Sequence, residues 1–481
     1  MLEGLEISII KKSELDGIQK RLDSEFYSKK FVEFENRLEE QGFRSLTDFN
    51  AQLDCSAFYP AITDYYNFEG QGIPFIRVNE IQNGMIQITE STAFLPHFVV
   101  ELNSKTITKT YHNDIVIAKG GNTLAKVGIV TDKYPEYAVC RDVIVLRTHC
   151  IPENIRYYIW AFMHSDYGYD SMIRTASQTG QPHLTLPFIA NLRIPLMSID
   201  FYNKIKECYI KATNVQDDAN RVYWEANNDL TKELRLHLID KNTESTRIIQ
   251  FKDSFLENGR LDAEYYQPQY DILFARLEQF ETKRLGDIVC IKKSVEPGSD
   301  YYQAEGIPFV RVADISKFGI TEPAVYLDKN HFSDVIRPKK DTILMSKDGS
   351  VGIAYKVEKD EDIITSGAIL HLTIKDNDVL PDYLTLVLNS KAVQMQAERD
   401  AGGSIIQHWK PSEIENVVIP IIPMDEQIKI SEMIQESFRL RNESKHLLDV
   451  AKKAVEIAIG DNEEKAILFI KESGNGKSLY N

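Results

Sequence analysis

The 481 residues predict an α+β fold built twice. The expectation is a tandem-duplicated chain of two strand-rich α+β heads, separated by two long antiparallel, coiled-coil-like helices and approximately two-fold symmetric. Three observations lead there. The strings GIPFIRV (72–78) and GIPFVRV (306–312) differ only at Ile76 against Val310. Other blocks recur in the same order, with offsets drifting from about 240 down to about 225 residues. Each half then closes on one long helical heptad pattern. Ordered recurrence over half a chain is the signature of duplication rather than of chance local likeness.

The elements follow in order. RLDSEFY (21–27) matches RLDAEYY (260–266), and helical stretches follow each, EFYSKKFVEFENRLEE and EYYQPQYDILFARLEQF. FRSLTDF (43–49) pairs with TKRLGDI (282–288), and YYNFEGQGIPFIRV (65–78) with YYQAEGIPFVRV (301–312). Gly and Pro break helix there, and the alternating residues after them predict a strand. NDIVIAKGGNTLAKVGIV (113–130) pairs with KDTILMSKDGSVGIAYKV (340–357), β-branched runs that end in glycine-containing turns. Helices are expected over 153–165 and 381–398. TGQPHLTLPFIANLRIPL (179–196) resembles GGSIIQHWKPSEIENVVIPII (402–422).

The first long helix carries Ile205, Cys208, Ala212, Val215, Ala219, Val222 and Ala226 at alternating three- and four-residue steps. The second, entered through Pro423, carries Ile430, Met433, Ser437, Leu440, Ser444, Leu447, Ala451 and Ala454. At 1.5 Å per residue each spans roughly 50–55 Å, too long for one small head to bury. Small residues on both seams predict close approach of the pair. The expected layout is residues 1–197 as the first segment and head, 198–245 as the central spacer helix, 246–423 as the second head, 424–460 as the C-terminal spacer helix and 461–481 as a mobile tail.

Composition bounds function. The net charge of −16 argues against tight nucleic-acid binding by this chain alone, because phosphate contacts need Lys and Arg. No apolar run reaches membrane-span length, and no signal peptide is read at the N-terminus. Five cysteines without CxxC spacing predict free thiols in a reducing cytoplasm, with no zinc site. No Pro-Pro pair offers the aromatic-flanked motif with which adenine methyltransferases hold a flipped base. GNGKS (474–478) lacks the first glycine and the strand–helix context of a phosphate-binding loop. No catalytic residue, metal site or cofactor site is expected.

The ordered double set of RLDxExY and GIPFxRV, each followed by a long helix, resembles the specificity subunit of type I restriction-modification systems over nearly the whole chain. The resemblance implies two target recognition domains, each reading one half of a split, asymmetric DNA sequence. It implies helices that set the distance between the halves and dock two methyltransferase subunits, and a restriction endonuclease/translocase subunit as a further partner. It implies a DNA-binding, non-catalytic chain, with S-adenosylmethionine on the partner methyltransferase. Alternatives are the specificity subunit of a bipartite-site fused methylase-nuclease system and a two-armed protein scaffold without a DNA role. On the DNA reading, base contacts belong where the halves disagree. The DNA-binding candidates are Lys119, Asn122, Thr123, Lys126, Gln178, Gln181 and His183 in the first head, and Lys347, Ser350, Gln407, His408 and Lys410 in the second. Gly120, Gly121 and Asp348 lie in the same turns. Arg77 and Arg311, identical in the repeat, are expected to pair with internal carboxylates, and Trp409 to fill the core.

Overall fold

A computed structural model describes residues 9–15, 21–68, 70–89, 91–176, 182–238, 247–321, 323, 325–402 and 407–473. The chain divides into two compact units. The first takes residues 1–216 and 442–481, the second residues 217–441. Both are α+β, and each contains part of both long helices.

In the first unit, strand Phe43–Ser45 pairs antiparallel with Arg193–Pro195. A six-stranded sheet runs in the order Gln52–Cys55, Val143–Arg147, Ile115–Ala118, Val127–Ile129, Met85–Ile86, Ile81–Gln82. A four-stranded sheet has the order Phe94–Leu95, Ile73–Ile76, Tyr137–Val139, Lys109–Thr110. The second unit repeats the scheme. Glu281–Arg284 pairs with Val418–Ile421. One sheet has the order Val289–Lys293, Ile369–Ile374, Ile343–Ser346, Ala354–Lys356. The other has the order Tyr302–Gln303, Tyr326–Leu327, Ile307–Val310, Ile364–Thr365.

The GIPF string is a strand with a steric demand at its entry. Gly72 has φ +102°, and a Cβ there would stand 2.2 Å from the Leu95 carbonyl oxygen. Gly306 has φ +139°, and its Cβ would stand 2.3 Å from the Leu327 oxygen. Only glycine tolerates both the dihedral and the neighbouring strand. The strand then pairs antiparallel on one side and parallel on the other in each unit. The arginine that follows caps a short turn. Arg77 Nη2 lies 3.0 Å from Glu80 Oε1, and Arg311 Nε lies 3.4 Å from Asp314 Oδ2. Glu80 is buried, which pushes its carboxyl pKa up even against the pull of Arg77. Both arginines pair with the buried carboxylate three residues on, as the repeat implied, and the Arg311 side chain stays 42% exposed.

The RLD motif is also structural, and its partner is remote in sequence. Arg21 forks onto Asp23 and donates to the Ala176 carbonyl at 3.2 Å, while Tyr27 Oη donates back to the Arg21 carbonyl. Arg260 forks onto Asp262 and donates to the Asp400 carbonyl at 2.8 Å, and Tyr266 Oη donates to the Arg260 carbonyl. Each motif therefore ties the start of its half to the C-terminal end of a helix, Asp166–Thr175 or Lys391–Asp400.

The long helices span Ile199–Glu233 and Met424–Gly460. Within the first unit Ser444 Oγ donates to the Ala212 carbonyl at 2.8 Å. Within the second, Ser437 Oγ donates to the Ala219 carbonyl at 2.7 Å and Lys429 pairs with Asp229 at 2.9 Å, so the helices there run antiparallel. Fully buried alanines and serines on the seam let a hydroxyl reach the partner backbone, the close approach that small residues predict.

Two expectations need correction. The region 381–398 is two helices, Pro381–Leu388 and Lys391–Asp400, because Asn389 turns its side chain onto the Ala354 backbone. Residues 463–473 are not a mobile tail. They form a helix whose Ala466 and Ile470 are buried in the first unit's core, an amphipathic face that gains more from burial than it loses in chain entropy. The GNGKS string lies outside the described residues. All five cysteines are free. No helix among the described residues is long and apolar enough to cross a membrane.

Candidate nucleic-acid interface

In the first unit strand Ile115–Ala118 runs out into Lys119 and Gly120, followed by the short turn Gly121–Thr123. Two backbone bonds fasten this exit. Lys119 N donates to the Asp142 carbonyl at 2.7 Å, and Leu184 N donates to the Lys119 carbonyl at 2.9 Å. Gly120 and His183 therefore lie side by side as a bridge pair. A Cβ on Gly120 would stand 2.4 Å from His183 Nδ1, so the glycine is what lets the imidazole lie against the turn. Thr123 Oγ1 donates to the Gly120 carbonyl at 3.4 Å, and Lys126 N to the Thr123 carbonyl at 3.0 Å. No hydrogen bond or ion pair among the described residues holds the ammonium of Lys119 or Lys126. Gln178, Gln181 and the Asn122 side chain lie outside the described residues.

The second unit makes the same backbone connections and keeps the lysine and the histidine, but differs at the residue beside them. Strand Ile343–Ser346 runs out into Lys347, whose N donates to the Ala368 carbonyl at 2.9 Å. Trp409 N donates to the Lys347 carbonyl at 2.8 Å, and Gly349 N to the Gln407 carbonyl at 2.9 Å. Asp348 takes the place of Gly120 and bridges His408. His408 Nδ1 donates to Asp348 Oδ1 at 2.9 Å, and the Lys347 ammonium contacts Oδ2. Partial burial works against the Asp348 carboxylate, but the bonds from Lys347 and His408 outweigh it and hold its pKa below the usual value. Ser350 is exposed and accepts from Ser346 Oγ through its carbonyl at 2.5 Å. Lys410 is exposed and reaches Glu413 at 3.2 Å. Trp409 is 1% exposed and lies in the core.

In each unit the turn after the buried strand and the polar segment before a short helix, far apart in sequence, are brought together. In the first unit these are Lys119, Thr123, Lys126 and His183. In the second they are Lys347, Ser350, Gln407 and His408, with Lys410 two residues on. The basic stretch 337–347 is largely neutralised locally, since Arg337 pairs with Asp362 at 3.0 Å and Lys339 with Asp360 at 2.9 Å. Sequence reasoning passed over the third segment at each site, Arg141–Asp142 and Gly367–Ala368. No repeat block contains it, since it follows the strand parallel to GIPF, a pairing that only the fold shows. Among the described residues no three His, Cys, Asp or Glu side chains converge as a metal site.

Residues 277–449 match the family model described as the type I restriction modification DNA specificity domain. That stretch is similar to a type I specificity domain. The match covers the second unit's sheets, its polar turn and most of the helix Met424–Gly460. A search of curated protein sequences finds no match. Solved structures with a similar course include the type I restriction-modification S subunit from M. genitalium, at 13% identity and a TM-score of 0.30, with 90% of this chain and 95% of that one covered. The HsdS subunit from Thermoanaerobacter tengcongensis gives 14% identity and 0.27, with 89% and 97% covered. TM-scores this low carry no argument, and the likeness rests on the family model over 277–449.

Proposed function

We propose that the chain is the sequence-specific, DNA-binding specificity subunit of a type I restriction-modification complex. It reads a bipartite, asymmetric target with its two units and docks methyltransferase subunits, with an endonuclease/translocase subunit joining for restriction. It carries no chemistry of its own and acts in the cytoplasm. S-adenosylmethionine belongs to the methyltransferase partner. The observation that carries this reading is the specificity-domain match over 277–449, which contains the second unit's polar turn. The repeat extends it to the first unit, whose turn makes equivalent backbone bonds. Two sites with a common frame and different side chains suit two different half-sites, since base edges are read by side-chain donors and acceptors. The net charge of −16 fits a chain that shares phosphate neutralisation with its partners.

The test is a footprint of the chain co-purified with its methyltransferase on a randomised DNA library. Two short protected blocks at a fixed spacing are expected. A single block, or none on any DNA, overturns the proposal. Methyl transfer by the chain alone overturns its non-catalytic part.

A further inference from the structure

One side chain beside the first unit's turn is set up for recognition and has no counterpart in the second. Cys140 N donates to the Ile76 carbonyl, and Ser366 N donates to the Val310 carbonyl, so the two segments correspond. Arg141 thus matches Gly367, and Asp142 matches Ala368, the residues whose carbonyls fasten Lys119 and Lys347. Arg141 is therefore adjacent to the bond that anchors the first polar turn. It is exposed, and its guanidinium lies 5.7 Å from the Phe58 ring centroid and 5.8 Å from that of Tyr59. It forms no ion pair among the described residues. Other arginines of the unit are spoken for: Arg77 by Glu80, Arg147 by Asp114 and Asp54, Arg174 by Glu35. Phe58 is 77% exposed, so it contributes little to the core. What it does contribute is a platform that limits the rotamers of Arg141. At Gly367 a Cβ would meet Glu296 Oε2 at 2.7 Å and Lys293 Cε at 2.9 Å, so the second unit closes this position with other side chains.

We infer that Arg141, held over Phe58 and Tyr59, reads a base edge in the half-site taken by the first unit. The chemical match is guanine, whose O6 and N7 accept the two parallel N–H bonds of a guanidinium fork. A guanidinium restrained beside two rings loses less freedom on binding than a free one, and Arg141 is exposed, so its donors face solvent until DNA arrives. Phe58 acts through Arg141, as a positioning residue. This inference rests on the DNA-reading function proposed above.

The experiment selects bound sequences from a randomised library with the methyltransferase-associated chain, comparing wild type, R141A, R141K and F58A. Wild type is expected to return a guanine at one position of one half-site. R141A and R141K are both expected to lose preference there by about tenfold or more, with the other half-site unchanged. F58A is expected to lose part of the same preference at the same position. Equal weakening on all sequences by R141A, restored by R141K, identifies a phosphate contact and overturns base reading. Unchanged selection by R141A overturns any role. A wild-type complex that selects no bipartite site sinks the proposed function instead, so the two failures are distinguishable.

Discussion

At Lys119 and at Lys347 the two units tie down a strand exit with the same pair of backbone bonds, then place different groups on it. The first unit has Gly120 with His183 lying against it. The second has Asp348 gripped by His408 and Lys347. The frame is set by main-chain pairing, which is indifferent to side chains, so the side chains are free to diverge. The same contrast holds one strand deeper. Val145 pairs with Val116 in the first unit, while His371 pairs with Leu344 at the matching place in the second. Where the units agree, at GIPF and RLD, the residues answer a steric or hydrogen-bonding demand of the frame. Agreement at GIPF and RLD in this duplicated chain therefore marks architecture.

The largest expected effect breaks an architectural position. G306A forces a Cβ to within 2.3 Å of the Leu327 oxygen at φ +139°. Strain plus overpacking is expected to cost roughly 2–6 kcal/mol. G72A should behave alike in the first unit, with 2.2 Å to the Leu95 oxygen. Denaturant titration with amide exchange checks both. Protection in G306A should fall in 307–310 and survive in 73–76. Loss in both places would mean that the units fold as one, and a loss of less than about 1 kcal/mol would show that the strands slide apart freely.

Acid should act unequally on the two units. His371 is 1% exposed, its Nε2 lies 2.8 Å from Thr365 Oγ1, and its Nδ1 has no hydrogen-bond partner among the described residues. Burial pulls its pKa from 6.5 down to about 4. The unfolded chain therefore takes up a proton that the folded chain refuses. The contribution of His371 to stability is constant above pH 6.5 and falls between 6.5 and about 4, by on the order of 3 kcal/mol. H371V, which copies Val145, should flatten this slope for the second unit when unfolding is followed by denaturant titration across pH. An unchanged slope would show that other groups govern acid sensitivity. His164 in the first unit, also lowered to about 4 by burial and by Lys452, sets the background against which the difference is read.

How much of this was legible in the sequence follows from how local each feature is. The duplication, the long helices and the turn-bearing strands were readable, because periodicity and glycine placement act over a few residues. The role of RLD was not, because its acceptor carbonyls at Ala176 and Asp400 lie 155 and 140 residues away. The helix at 463–473 was missed because its apolar face is short and its partner surface is built from remote elements. At the candidate sites, the recurrence of polar segments pointed to His183 and His408. Their juxtaposition with Gly120 and Asp348 needed the fold. Arg141 was invisible until its neighbour Asp142 was seen to hold Lys119.

The smallest expected effect on stability bears most directly on function. D348G gives the second unit the first unit's residue. It removes the acceptor shared by Lys347 and His408; His408 is 64% exposed and is rehydrated, whereas the Lys347 side chain is 13% exposed and must turn outward to regain water. The net cost in stability is expected to be about 1–2 kcal/mol, because the His408 contact is exposed and contributes little while the largely buried Lys347 loses its charged partner. Its effect on recognition should be larger. With the carboxylate gone, the Lys347 ammonium is no longer turned inward and becomes available to phosphate or base acceptors. Library selection with the methyltransferase-associated chain should show altered preference in the second unit's half-site alone, and tighter, more salt-dependent binding overall. A change confined to the first unit's half-site would reverse the assignment of units to half-sites. Unchanged selection with unchanged salt dependence would show that the Asp348 cluster is part of the frame, and would leave Gln407 and Lys410 to carry readout in that unit.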